Sequence, residues 1–157
     1  MKEILIIVII IFMIPLQPKC QNTDAVDVEV GGSSLVYSVN FDKRFNTKNN
    51  LGFRIGFGIL PYDFPHGSPL VIVPILINMA LPKKHSFESA IGITNVITKD
   101  DQTYIGDMLF AYRLQKNNGL LFRCGVNFLV KFYDRIGVFE DENAIKLFPM
   151  LSLGKSF

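Results

Sequence analysis

The sequence predicts an all-β fold, an antiparallel up-and-down barrel of about eight strands. Three observations carry this. Residues alternate with period 2 through most of the chain, short and longer connections take turns along it, and it ends on an aromatic, Phe157. Period 2 is the mark of strands whose two faces meet different surroundings.

The clearest strand is "LGFRIGFGIL". Leu51, Phe53, Ile55, Phe57 and Ile59 share one face, and Gly52, Arg54, Gly56 and Gly58 the other. "SSLVYSVNFDKRF" sets Leu35, Tyr37, Val39 and Phe41 against Val36, Ser38, Asn40 and Asp42. "LLFRCGVNFLVK" sets Phe122, Cys124, Val126 and Phe128 against Arg123, Gly125, Asn127 and Leu129. "PLVIVPILINMAL", "SFESAIGITNVIT" and "TYIGDMLFAYRLQ" alternate less cleanly. In the last, Tyr104, Met108, Phe110 and Tyr112 oppose Asp107, Ala111 and Arg113. The final stretch, "LFPMLSLGKSF", puts Leu151, Leu153 and Phe157 on one face.

"NTKNN", "PKKH" and "KNNG" are short and turn-like. "PYDFPHGS", "TKDDQ" and "DRIGVFEDEN" are mostly longer and less regular. Counting strand directions from the short-turn end, a strand beginning near residue 34 needs a partner before it. "DAVDVEV" with "GGSS" is the only candidate, over 25–31, and it brings the count to an even eight. A bulge at Gly31-Gly32 within one long strand is the competing reading.

Upstream, Lys2 precedes an unbroken apolar run from Ile4 to Ile14. It is too short for a spanning helix, which needs about 20 residues, and fits a secretory signal peptide over 1–20. Residues 21–157 then form the barrel domain. Cys20 has a second reading, as the lipidated cysteine of a lipoprotein, although Gln17-Pro18-Lys19 before it lacks the small residues such signals carry. With Cys20 removed, Cys124 stands alone, and no disulfide framework can form within one chain.

Charged residues make up 19% of the sequence, hydrophobic residues 49%, and the net charge is +2. Charged usage is below the roughly 25% of soluble domains, and no case for nucleic acid arises from charge. A soluble sandwich would carry a wet, charged outer face opposite its apolar one. Here the second face is mostly small, which suits a narrow barrel interior. The apolar faces match the 9–11-residue strands of a bilayer span. Aromatics gather at both strand ends. Phe45, Phe53, Phe87, Tyr112, Phe122 and Phe157 fall near the short turns; Tyr62, Phe64, Tyr104, Phe132 and Tyr133 fall near the longer connections. Two such groups suit interfacial girdles.

On "VEVGGSSLVYSVNFDKRF", "LGFRIGFGILP" and "MLSLGKSF", nearly the whole mature chain resembles small Bacteroidota-type outer-membrane barrel proteins. The resemblance implies location in the cell outer membrane among its lipids. It implies that Phe157 is the signal read by the outer-membrane assembly machinery, with Lys155 standing where an aromatic is common. It brings no catalytic residue and no cofactor.

The inward charges Asp42, Arg44, Arg54, Glu88, Arg113 and Arg123 each fall a few residues from a short turn. They are expected at one depth, as an ion-paired network that plugs the interior. An unpaired buried charge is very costly, and eight strands leave room for little more than side chains. His85-Ser86 with Glu88 is similar in residue type to the set used by lipid A deacylase barrels. Neighbours on a strand face opposite ways, however, and His85 falls at the wrong end for outer-leaflet lipid A, so no catalysis is expected. His66 has no companion ligand for a metal. Glu140, Asp141 and Glu142 form an acidic segment in a connection that is read as solvated and not as a calcium site. An external partner would meet the loops. An embedded lipid-modifying enzyme and a transporter of small apolar solutes are the alternatives.

Overall fold

A computed structural model describes residues 24–45, 50–60, 69–81, 83–99, 101–116, 119–133 and 145–157. The proposed signal peptide with Cys20, the loop holding Tyr62, Phe64 and His66, and the acidic segment Glu140–Glu142 lie outside them.

Eight strands follow one another: β1 (Asp24–Gly31), β2 (Tyr37–Arg44), β3 (Leu51–Leu60), β4 (Leu70–Ala80), β5 (His85–Ile97), β6 (Gln102–Gln115), β7 (Leu120–Tyr133) and β8 (Ile145–Ser156). Each pairs antiparallel with the next, and β1 pairs with β8, so the sheet is a closed barrel. Closure leaves no edge strand with unpaired backbone groups. The seam runs from Ala25 opposite Ser156 to Gly31 opposite Met150. Beyond it, the Phe157 amide donates to the Asp24 carbonyl (2.9 Å), tying the last residue to the first described one.

"VDVEV" thus forms a true strand, and Gly31-Gly32 is not a bulge. The chain turns there through a single 3-10 turn, Gly32–Ser34. Gly31 and Gly32 have φ of 75° and 60°, the left-handed region that glycine adopts at no steric cost. A Cβ at Gly31 would also overlap the Pro149 carbonyl on β8. This corrects the expected start of the second strand. Leu35 and Val36 do not continue its alternation: Leu35 sits at φ 66° and packs inward, while Val36 is exposed. One connection grouped with the longer ones is itself tight: the Thr98 amide donates to the Asp101 carbonyl (2.9 Å).

The faces sort by period throughout. Most outward positions are apolar and exposed, with Ile75 at 54% and Phe87 at 82% of full exposure. Inward positions are glycine, polar, charged or aliphatic. Parity in "LLFRCGVNFLVK" sets Leu129 inward, but the extent of the inward aliphatics was not expected. Leu70, Ile72, Val96, Ile105 and Leu129 form a core at one end, against Leu35, Leu60 and Phe148. Leu76, Ala90, Leu109, Ala111 and Met150 form a second cluster. On β4 both faces are apolar, so alternation alone did not show that one of them fills a core. Near the loop end of β6 and β7 the register shifts, with Tyr104 opposite Tyr133 and Ile105 opposite Lys131. The Phe132 ring lies where a side chain on Gly106 would be.

The closing register is directly testable. Val28 lies opposite Leu153, and both face outward. In a chain otherwise free of cysteine, Val28→Cys with Leu153→Cys is expected to join in near-quantitative yield with a short bis-maleimide, read as altered gel migration after boiling. Val28→Cys with Ile77→Cys, on a strand across the barrel, is expected to stay unlinked.

Candidate functional site

Strand parity puts Asp42, Arg44, Arg54, Glu88, Arg113 and Arg123 on the inner wall, and the structure brings all six together. Arg123 of β7 is the hub. Its Nη1 reaches Asp27 Oδ2 at 2.5 Å, its Nε reaches Glu88 Oε2 at 3.0 Å, and its Nη2 pairs with Asp42. Arg54 of β3 reaches Glu29 Oε2 at 3.2 Å and pairs through Nη2 with Glu88. Arg113 of β6 meets Glu88 at 3.0 Å and Asp42 at 3.3 Å, and donates from Nη2 to Gln115 Oε1 at 2.9 Å. Arg44 is the outermost member, 3.7 Å from Asp42 and 3.9 Å from Glu88, and donates to the Asn50 carbonyl at 3.1 Å.

Sequence reading missed two carboxylates that complete the network, Asp27 and Glu29 of β1. Both alternate with Val26, Val28 and Val30, so parity in "VDVEV" was the signal that could have found them. With them the network holds four guanidinium groups and four carboxylates, and its formal charges balance. Neutral side chains add further hydrogen bonds. Asn40 donates to Asp27 (3.1 Å), Asn78 to Asp42 (3.2 Å) and Glu88 (3.1 Å), and Ser152 to Asp27 (2.8 Å). All eight strands therefore contribute to one interior cluster.

The network also resolves a local conflict. Arg113 and Arg123 are directly opposite in the β6–β7 ladder, a like-charge pairing that destabilises a sheet. Glu88 Oε2 lies 3.0 Å from both and screens each from the other. Inward glycines make room. A Cβ on Gly154 would collide with Asp27, and one on Gly56 with Asn40 and Pro74.

A separate polar cluster sits towards the other end. The Thr94 hydroxyl is shared between Asp107 and the Ser33 carbonyl (3.1 Å), and Asn127 Nδ2 donates to Ser33 Oγ (3.1 Å) and to Asp107. Glu29 Oε1 accepts the Ser33 amide at 3.2 Å. The β1–β2 turn is thereby drawn into the mouth of the barrel, with Ser33 and Ser34 buried.

His85, Ser86 and Glu88 do not converge. His85 is exposed and its Nδ1 meets the Tyr112 hydroxyl; Ser86 points inward and its Oγ has no partner among the described residues. Nucleophilic catalysis needs serine and base in contact, and this pair faces opposite sides of the wall. Among the described residues no group of three or more histidine, cysteine or acidic side chains is placed to hold a metal ion. Phe157 is partly exposed at the short-turn end, beside the β1–β8 seam.

The architecture defines the chain as a closed eight-stranded up-and-down barrel with an ion-paired interior and an apolar outer wall. No protein-family model matches it, and no curated protein is similar enough in sequence to count as a relative.

Removing one partner of a buried ion pair costs roughly 3–5 kcal/mol, because the other charge stays behind. Glu88→Ala leaves Arg54, Arg113 and Arg123 without their shared carboxylate. It is expected to destabilise the barrel by about that amount in a urea titration followed by gel shift. Unchanged stability would refute the network's structural role.

Proposed function

We propose that the chain is an integral outer-membrane β-barrel protein, exported through a signal peptide over 1–20. It has a structural or surface-interaction role and no catalytic site. One observation carries the reading: the molecule is inside-out relative to a water-soluble protein. Arg54 and Arg123 are completely buried, while Ile75, Ile77, Phe87, Ile91 and Leu147 are each more than half exposed. Such an outer wall in water would be a large aggregation liability, whereas in hydrocarbon it is the favoured surface. Lipid tolerates a β structure only when every backbone group is paired, which closure achieves.

The interior favours a sealed barrel over a transporter. Eight strands enclose a lumen that side chains can fill. Here the charged network occupies one half, and the aliphatic core with the β1–β2 turn occupies the other. The outer-membrane assembly machinery is the proposed folding partner, with Phe157 as its signal, and the loops are the proposed contact for external partners.

Membrane fractionation with gel analysis tests the reading. The chain is expected to sediment with outer membranes after an alkaline wash, and to run as a compact band that shifts on boiling. A soluble, unshifted band would overturn it. Reconstituted in liposomes, the barrel is expected to give conductance at background level, and sustained solute flux would overturn the sealed interior.

A further inference from the structure

The outer wall is not uniformly bulky. Across β4–β7, near the short-turn end, it is indented by a groove of about 460 Å³, within the usual range of ligand sites. Two small outward residues make the floor. Ser89 is flanked in the ladder by Met79 and Phe110, and Cys124 by Tyr112 and Leu151. Phe87, Phe110, Tyr112 and Val126 rise around them. The Tyr112 ring is fixed at the rim by its hydroxyl contact with His85 Nδ1.

The rim above this groove is cationic. The Gln115 amide donates to the Lys84 carbonyl (2.8 Å), bringing the β4–β5 and β6–β7 turns side by side. Lys83, Lys84, His85 and Lys116 are all exposed there. Among the described residues no carboxylate pairs with Lys83, Lys84 or Lys116. The two ends of the chain's connections differ in the same sense. Segments 45–50, 81–84 and 116–119 carry four lysines and no carboxylate. Segments 61–69, 98–101 and 134–144 carry seven carboxylates against one lysine and one arginine.

An apolar groove that opens onto unpaired lysines complements an amphiphile with an anionic head. The geometry points to a binding site for an anionic glycerophospholipid, with one acyl chain along the Ser89–Cys124 floor and its phosphate at Lys83, Lys84 and Lys116. This site rests on the membrane reading, since it uses lipid from the leaflet that meets the short turns. Each lysine near a lipid surface contributes about fivefold in affinity.

The test is native mass spectrometry of the purified full chain in zwitterionic detergent, with dioleoylphosphatidylglycerol and dioleoylphosphatidylcholine as probes. The barrel is expected to retain phosphatidylglycerol preferentially. Lys83→Gln with Lys84→Gln is expected to remove that preference, at roughly fivefold per lysine. Ser89→Leu fills the floor and is expected to lower retention of both lipids; Cys124→Leu, on another strand, is the second groove-filling variant. Each variant is first checked for the band that shifts on boiling. Equal retention of the two lipids by the unaltered chain, or unchanged retention in folded variants, would overturn the site. A barrel that inserts in membranes but shows no preference defeats this inference alone, whereas a chain that does not insert defeats the membrane reading.

Discussion

The structure depends on one constraint: every guanidinium group placed inside the closed β wall must find carboxylates there. Arg123 shows how this is met. Its guanidinium reaches carboxylates on β1, β2 and β5, none of which is a ladder neighbour of β7. Ladder hydrogen bonds hold neighbours only, so these ion pairs are the links that cross the barrel. Buried ion pairs add little net stability over a well-packed apolar core. Their stronger effect here is on uniqueness. A one-residue slip of any of the six strands that carry a charge in the network would turn that charge to the outer face and leave its partners unpaired. The network thus fixes six registers together.

Closure follows from the same constraint. Without β1, the six charges first expected inside would carry four positive groups against two negative. Asp27 and Glu29 supply the missing pair, so the strand that completes the hydrogen-bond ring also completes the charge balance. The turn after it continues inward. Gly31 and Gly32 allow a backbone path that aims Ser33 at Thr94, Asp107 and Asn127 and sets Leu35 on the aliphatic core. The lumen is therefore divided along its axis, with charged packing towards the short turns and apolar packing towards the loops.

Much of this was legible in the sequence, because period 2 reports directly on which way a side chain faces. Strand number, the outward apolar wall and the six inward charges all follow from parity. What parity could not show was anything needing a third dimension. "VDVEV" is short, and its role depended on "GGSS", which reads equally as a bulge or a turn until Met150 and Pro149 are seen beside it. The inward Leu70, Ile72 and Leu76 were hidden because β4 is apolar on both faces. His85 and Ser86 are adjacent in sequence, and the wall between them is what separates their chemistry.

That wall is only one residue thick, and this joins the interior to the outer groove. Phe87, Glu88 and Ser89 are consecutive: Glu88 points inward to three arginines, while its neighbours line the groove outside. The same holds on β6, where Tyr112 and Arg113 share a peptide bond and face opposite sides. Apolar side chains on an exposed surface are free to change rotamer, and a shallow indentation there would ordinarily fill. Here the backbone beneath it is pinned by the ion pairs of Glu88, Arg113 and Arg123, while the small side chains of Ser89 and Cys124 have nothing with which to fill it. A network that first serves to neutralise buried charge therefore also gives the outer wall a fixed shape, at the end of the barrel where the lysines gather.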